Sequence, residues 1–461
     1  MPESSRHAIA CPTGENRLNV SIIGCGYVGL VTGVCLADKG HRVVCVDIDA
    51  TKVDRINAAI APIHEIGLPE LLKKNVGKGF SATTDFDAAV RDSDLTLIAV
   101  GTPFDGKEID LTFVKKTAEQ IGAVLKTKNA YHVVVVKSTC VPGTTDEVVG
   151  PTVAAASGKN VGTDFGLGMN PEFLSEGEAI RDFMNPDRIV LGGVDERTTA
   201  KMAELYTAFA GVPVLKTNNK TAEMIKYTSN AMLATCISFA NEIGNLCSAI
   251  GGVDALDVMR ANHINYYLSK RLPDGSMFKA PLASFFEAGC GYGGSCLPKD
   301  TKALVAHGEK FDQPMPLLHA VIDTNRKQPG QVLALLRKEL PDLSGKSVAV
   351  LGLAFKPNTD DLRESPAFPI IDLLLREGAT VKAYDPEGGA GAMKVLGEKV
   401  AVVDSMQQCI DGVAAVVVVT RWDEFKQLPA MLKQSNPTAV IVDGRRMLDK
   451  DSYEKYTGIG L

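Results

Sequence analysis

The sequence lacks a long apolar run. Its most hydrophobic stretches, VVVVK and AAVVVVT, are short and follow turns. They read as sheet strands, and no membrane span is expected. A strong charge of either sign is also missing: the formal net charge is -6 and basic residues are scattered, so neither nucleic acid nor an anionic membrane is an expected partner. The ten cysteines show no paired metal spacing. Most sit in apolar surroundings (Cys25, Cys35, Cys45, Cys236, Cys247), which points to a reducing cytoplasm and no bound metal. The opening residues MPESSRHAIACPTGENR have no apolar centre, so they are expected to be a loose tail (1–17) and not a signal peptide. What remains is ordinary for a soluble globular chain, with 45% hydrophobic and 23% charged residues. At 461 residues it is long enough for two or three domains.

The first strong pattern is NVSIIGCGYVGLVTGVCLADKGHRVVCVDID. A short apolar strand runs into Gly24, Gly26 and Gly29, a helix of small and apolar residues follows, and a second strand ends at Asp47. The first glycine permits a tight turn, the second admits a pyrophosphate to the backbone, and the third lets helix and strand pack closely. The helix N-terminus offers free N–H groups to the phosphate. Asp47 is placed to bond both ribose hydroxyls of NAD and to repel the extra phosphate of NADP. Further strand–loop–helix units follow. LTLIAV ends in Gly101 and Thr102, and HVVVVK ends in Ser138 and Thr139. These hydroxyls lie where an open α/β sheet binds ligand, or else serve as helix caps. The strand DFGLGM leads to Asn170-Pro171-Glu172-Phe173-Leu174-Ser175-Glu176, where the two carboxylates are expected to share a helical face or to face solvent. PDRIVLGG is expected to be the last strand of this domain, before a helix over ERTTAKMAELYTAFA.

From about residue 218 the period becomes helical and stays so through KTAEMIKYTSNAMLATCISFANEIGNLCSAI. Too much of its circumference is apolar for a lone surface helix, so it is expected to join domains and to supply a subunit interface. Lys226 and Asn230, four apart, share one side of it. A second α/β pattern begins at KSVAVLGLAFKPNTDDLRES without the glycine fingerprint, and two more strands, AAVVVVT and TAVIVDG, are expected to complete it. The expected fold is therefore α/β, with two Rossmann-like doubly wound domains joined by a central helical domain. Its expected bounds are 18–215, 216–325 and 326–461.

Between the second and third regions stands GYGGSCLPKD. Cys296 follows Gly293-Gly294, where flexible backbone would let a thiol approach a bound group. N–H groups of a following helix and nearby cations would favour the thiolate. Beside a nicotinamide site a thiolate can attack an aldehyde; the thiohemiacetal gives up hydride, and water releases a carboxylate from the thioester. A combined site oxidises a primary alcohol twice without releasing the aldehyde.

The stretches GCGYVG, VGTP, KSTCVPGT, NPEFLSEG, NKTAEMIKYTSNAMLA, GYGGSCLPKD, GLAFKPNTDDLRES and DGRR run in order over residues 20–446 and resemble the UDP-glucose 6-dehydrogenase/GDP-mannose 6-dehydrogenase family. The GGSCLPKD form is less similar to the UDP-N-acetylhexosamine branches, which place histidine before the cysteine. The resemblance implies NAD as cofactor, a nucleotide-sugar substrate held by the C-terminal domain, a cytoplasmic homodimer through the central helix, and oxidation of the sugar's C6 alcohol to a uronate. It makes Cys296 the nucleophile and Lys226 the group that steadies alkoxide and oxyanion. Asn230 and Asp300 would orient water, and Thr139, Glu172 and Glu176 would serve water binding and hydrolysis. The proton acceptor is either Glu172 or a water on Asp300. Gly24, Gly26, Tyr27, Val28, Gly29, Asp47, Lys52, Gly101, Thr102, Ser138, Thr139 and Glu176 resemble cofactor contacts, with Arg363 donated by the far domain. Phe173, Leu174, Phe285, Phe286, Gly293, Phe355, Lys356 and Arg445 resemble substrate contacts, alongside Glu172, Lys226 and Asn230.

One departure stands out. Sixteen residues before the cysteine the family often has an arginine that reaches a neighbouring subunit's substrate; here the residue is Ala280. The segment around it is long, with Tyr266 and Tyr267, and Arg271 or Lys279 is a candidate to restore the charge. UDP-glucose is the expected substrate and GDP-mannose the nearest rival. A nucleotide-sugar sensor without turnover would not need Cys296, Lys226 and Asp300, and an epimerase would not need the thiol.

Overall fold

The computed structural model describes residues 17–461, so the expected tail, Arg17 apart, lies outside the described residues. The chain divides into two compact units, Met1–Thr228 and Ser229–Leu461. Along the chain, two Rossmann-like α/β domains are bridged by a region of long helices.

In the first unit, eight strands form one sheet: β1 (Asn19–Ile23), β2 (Arg42–Val46), β3 (Phe80–Thr83), β4 (Leu95–Ile98), β5 (His132–Val136), β6 (Phe165–Met169), β7 (Ile189–Gly193) and β8 (Val214–Thr217). Their order is β3-β2-β1-β4-β5-β6-β7-β8. All neighbours are parallel except β6 and β7. Helices cover both faces, which is why β4, β5 and β6 are buried along their whole length and read as apolar runs. The order reverses between β1 and β4, so their carboxyl ends open the crevice where such sheets bind ligands.

Three expectations for this domain fail. The strand at Ile189–Gly193 is not the last, because β8 pairs with it in parallel. The helix before β8 is also shorter than expected: it spans Glu196–Ala203, followed by one 3-10 turn, Glu204–Tyr206. Three of the four β8 residues are exposed, so no alternation marks them in the sequence. Residues 170–177 are not helical either, and Glu172 and Glu176 share no helical face. Pro171 disfavours the α conformation at Asn170. The backbone donors of this loop are claimed by side chains: Glu172 takes the Leu174 N–H, and Glu65 takes those of Gly177 and Ala179.

The helix Asn219–Ile250 has 32 residues, about 48 Å of rise. It begins in the first unit and continues into the second. Beyond it the second unit holds a short antiparallel hairpin, β9 (Ser269–Arg271) with β10 (Met277–Lys279), and the helices Leu297–Glu309 and Pro316–Glu339. A six-stranded parallel sheet follows: β11 (Ser347–Leu351), β12 (Thr380–Tyr384), β13 (Ala401–Val402), β14 (Ala415–Val418), β15 (Val440–Asp443) and β16 (Tyr456–Gly458), in the order β13-β12-β11-β14-β15-β16. Two edge strands, β13 and β16, thus flank the central four, β12-β11-β14-β15, and were not expected. At two and three residues they are too short to carry a pattern.

Candidate active site

In the first unit the glycine loop follows β1 directly. Gly24 adopts φ +106°, and a side chain there would meet the Ala99 carbonyl oxygen at 2.7 Å. A side chain at Gly29 would collide with the Gly24 carbonyl, which holds helix and strand in contact. Gly26 is different: nothing lies within 4 Å of where its Cβ would be. The helix Tyr27–Asp38 starts there with no side-chain cap, so its first N–H groups are available to a phosphate. At the end of β2, Asp47 accepts from the Cys25 N–H at 2.9 Å, the Asp49 N–H at 3.1 Å and Lys52 Nζ at 3.0 Å. Burial would raise its carboxyl, but these donors together hold it below its ordinary range. An open glycine, an uncapped helix and an ionised acid at the second strand end fit the pyrophosphate and ribose of NAD.

The remaining cofactor candidates lie around this crevice in varied roles. Val28 is half-buried and Gly101 is exposed. The Thr102 hydroxyl donates to the Thr139 carbonyl at 2.7 Å, and the Ser138 hydroxyl to the Val100 carbonyl at 2.7 Å. These hydroxyls tie the ends of β4 and β5 together and cap no helix. Tyr27 donates its hydroxyl to the buried Glu65, which also accepts from Gly177 N at 2.7 Å and Ala179 N at 2.8 Å. Glu65 therefore fastens the glycine loop to the loop that carries Glu172 and Glu176.

Beyond β6 that loop meets the long helix. Lys226 Nζ lies 2.9 Å from Glu172 Oε1, with side chains only 4% and 6% exposed. The Leu174 N–H donates to Glu172 Oε2 at 2.7 Å. Phe173 presents its ring to the Arg188 guanidinium at 3.9 Å and to Lys226 Nζ at 5.6 Å. A cavity of about 280 Å³ adjoins them, with Glu172, Phe173, Leu174, Arg188 and Lys137 in its wall. Lys137 and Glu223 were not anticipated from the sequence. Glu223, fully buried on the long helix, accepts from Gly143 N at 2.6 Å, Thr145 N at 2.8 Å and Thr145 Oγ1 at 2.7 Å. It binds the loop after Thr139 to the helix turn before Lys226. Lys137 ends a run of valines at the carboxyl end of a parallel strand, a signal that the sequence did contain.

In the second unit, Cys296 sits at the N-terminus of the Leu297–Glu309 helix, with Pro298 in its first turn. Eight of the nine described cysteines are buried; Cys296 is the exception. Its Sγ lies 3.5 Å from the Ser295 hydroxyl, and the positive end of the helix favours negative charge there. Asp300, one turn on and fully buried, accepts from Asn230 Nδ2 at 2.6 Å and Lys299 Nζ at 2.5 Å. The glycines before Cys296 also serve close packing, and Gly294 adopts φ +84°, which favours glycine. A side chain at Gly293 would strike the Glu364 carbonyl, and one at Gly294 would meet the Phe355 ring at 2.7 Å.

Other substrate candidates surround this loop. Phe285 is half-buried, and Phe286 packs edge-on against Phe239 with ring centroids 6.2 Å apart. Lys356 Nζ lies 5.8 Å from the Phe355 ring centroid. Arg363 is exposed and paired with Asp361 at 2.7 Å. Arg445 donates to the Val419 carbonyl at 2.6 Å and to the Gly291 carbonyl at 2.8 Å, so it braces the start of the glycine–cysteine loop. The acid after β12, Asp385, corresponds in position to Asp47 but is spent on its own chain. It accepts from the N–H groups of Leu353, Ala354, Glu387 and Gly388 and from Trp422 Nε1. No second ribose-binding acid is on offer here.

Fold and site define an NAD-dependent dehydrogenase built on two Rossmann-like domains. The chain belongs to the UDP-glucose/GDP-mannose dehydrogenase family: its NAD binding domain matches residues 18–210, its central domain 220–327 and its UDP binding domain 349–450. The UDP-glucose 6-dehydrogenase AglM of Haloferax volcanii is 42% identical over 441 residues, covering 94% of this chain and 98% of that one. The GDP-mannose 6-dehydrogenase of Pseudomonas aeruginosa is 38% identical over 373 residues, 80% of this chain and 81% of that one. The solved structure of a UDP-glucose dehydrogenase from Pyrobaculum islandicum superposes with a TM-score of 0.88 at 38% identity, covering 97% of this chain and 99% of that one. The protein is therefore an NAD-dependent oxidoreductase acting on a nucleotide sugar at C6. Among the described residues, no helix is long and apolar enough to cross a membrane.

Proposed function

We propose that the nucleotide sugar is UDP-glucose, and that Cys296 carries it through a covalent intermediate to UDP-glucuronate. NAD, when bound, supplies the hydride acceptor for both oxidations. In the first, the C6 alcohol loses hydride and a proton. Lys226 stabilises the negative charge that grows on oxygen, a charge the ground-state alcohol lacks. In the second, the Cys296 thiolate adds to the aldehyde carbon, and the resulting thiohemiacetal loses hydride to become a thioester. Water, deprotonated by Glu172 or held by Asp300 and Asn230, then adds to the thioester and expels the thiolate. Two hydrides and one water account for the change from alcohol to carboxylate.

The observation that most supports this reading is Cys296 itself, the described cysteine left unburied, at a helix N-terminus and one turn from a buried aspartate. UDP-glucose is supported by relatives of that specificity that match nearly end to end, while the GDP-mannose relative matches over about four-fifths of its length. The substrate-contact roles of Phe285, Phe286, Phe355, Lys356 and Arg445 and the cofactor role of Arg363 belong to the same proposal. So does a homodimer through the central region, 216–325. Met232, Phe239 and Leu246 recur every seven residues on the long helix and are 49%, 53% and 56% exposed, an apolar stripe for a second copy. The buried free thiols fit a reducing cytoplasm.

The test is NADH formation by the purified protein with a panel of sugar nucleotides. UDP-glucose should give two NADH per uronate. Turnover with GDP-mannose alone would replace the substrate assignment, and binding without NADH formation would leave a sensor.

A further inference from the structure

In the second unit, the strap that leads to Cys296 has no regular structure: residues 287–293 form neither helix nor strand, yet 288–294 are buried. A buried backbone outside any ladder needs its N–H and C=O groups matched from elsewhere. Amide side chains of the two long helices, Asn219–Ile250 and Pro316–Glu339, do much of this. The Gly289 N–H donates to Asn241 Oδ1 at 2.8 Å, and Gln328 Nε2 donates to the Gly289 carbonyl at 2.7 Å. Asn325 takes both groups of a single residue. Its Oδ1 accepts the Tyr292 N–H at 2.8 Å, and its Nδ2 donates to the Tyr292 carbonyl at 3.0 Å. Asparagine is the shortest side chain with a separate donor and acceptor, so here it stands in for a neighbouring strand.

Close packing does not complete the hold at this point. A cavity of about 260 Å³ lies against Gly291 and Tyr292, with Pro298, Ile322, Asn325 and Pro369 also in its wall. Atoms that face a void lose packing contacts on that side. The amide of Asn325 sits directly on the strap: a side chain at Gly291 would meet its Oδ1 at 2.9 Å. Nearer the thiol, the Glu364 carbonyl and the Phe355 ring press on Gly293 and Gly294, and the Gly294 N–H donates to the Arg363 carbonyl at 2.8 Å. The cavity is the space into which the strap can yield, and the Asn325 pair opposes that movement four residues before Cys296.

We propose that Asn325 is a positioning residue for Cys296: by pairing both backbone groups of Tyr292 it keeps the strap out of the adjoining cavity and holds the thiol where it adds to the aldehyde. The proposal rests on the reading of Cys296 as the nucleophile. In that reading the thiol takes no part in the first oxidation, so Asn325 acts on the second and leaves the first alone. That asymmetry separates it from a residue that only stabilises the fold.

The experiment follows single turnovers of the full chain with NAD by stopped flow. They start from UDP-glucose for the first oxidation and from its C6 aldehyde for the second, in Asn325→Leu, Asn325→Asp, Ile322→Ala and Cys296→Ser. Asn325→Leu removes both bonds. Asn325→Asp has the same shape and keeps an acceptor for the Tyr292 N–H, but sets a carboxylate oxygen against the Tyr292 carbonyl; it carries the test where Asn325→Leu does not fold. Both should slow aldehyde oxidation by about 10–10²-fold, the scale of a misplacement of about 1 Å, and leave the first oxidation at its wild-type rate. Ile322→Ala, in the same cavity wall, should lower thermal stability and leave both rates in place. An equal slowing of both oxidations in Asn325→Asp, or no slowing of the second in either Asn325 variant, would overturn the proposal. The same asymmetry in Ile322→Ala would overturn it too, because any loosening of the wall would then suffice. Cys296→Ser tests the reading beneath: undiminished aldehyde oxidation there would show that Cys296 is not the nucleophile, and the action of Asn325 through it would fall with that reading.

Discussion

Replacing Lys137 by methionine removes a buried charge from the first unit with little change in side-chain length. Burial lowers the ammonium from its ordinary 10.5 to about 8, with Lys226 acting in the same direction and Glu172 against it. A proton is therefore bound less tightly in the folded chain than in the unfolded one. The penalty is fully present below about 8, shrinks as pH rises from there and vanishes above 10.5. At about 1.4 kcal/mol per pKa unit it amounts to roughly 3 kcal/mol at neutral pH. Methionine avoids it, and Asn170 Oδ1 keeps the Tyr206 hydroxyl as donor. Lys137→Met should thus melt several degrees higher than wild type at pH 7, on the scale of about 2–4 °C per kcal/mol for a unit of this size. The gain should fade between pH 8 and 10.5. Differential scanning calorimetry of the ligand-free protein at pH 7 and 10.5 reads both. A variant that melts lower than wild type at pH 7, or a gain unchanged at pH 10.5, would refute the argument that this lysine costs stability.

Three other outcomes test the proposed chemistry and assembly. Cys296→Ser should abolish net uronate formation, measured as product by chromatography, because a serine ester turns over poorly; undiminished uronate would remove Cys296 from the mechanism. Lys226→Ala should lower kcat by about 10²–10³ with a smaller change in KM, since its bond strengthens in the transition state, and a pure rise in KM would contradict that role. Phe239→Glu places a charge in the exposed stripe of the long helix and should shift the protein toward monomer in analytical ultracentrifugation. An unaltered mass would move the dimer surface elsewhere.

Much of the site was legible in local patterns. The glycine spacing and Asp47 report a strand, a turn and a helix that are contiguous in the chain, and local sterics set them. Lys226 and Asn230 fall one turn apart because helical geometry puts residues four apart together. Cys296 is marked by the glycines before it and the proline after it, since proline suits the first turn of a helix. One reason for the glycines was not legible: Phe355 and the Glu364 carbonyl, distant in the chain, press on them and leave no room for a side chain.

From its residues alone the chain determined most of the order of strands and helices, short edge strands such as β8, β13 and β16 apart, and the chemical groups at the strand ends. These depend on interactions within a few residues, which spacing records. Only the tertiary structure decided that residues 170–177 form no helix, that Asp47 is held by two backbone N–H groups and Lys52 while Asp385 is buried among five donors, and that Lys226 pairs with Glu172. Each of those outcomes turns on which distant donor or charge faces a carboxylate once water is excluded, and burial and long-range approach leave no trace in local spacing.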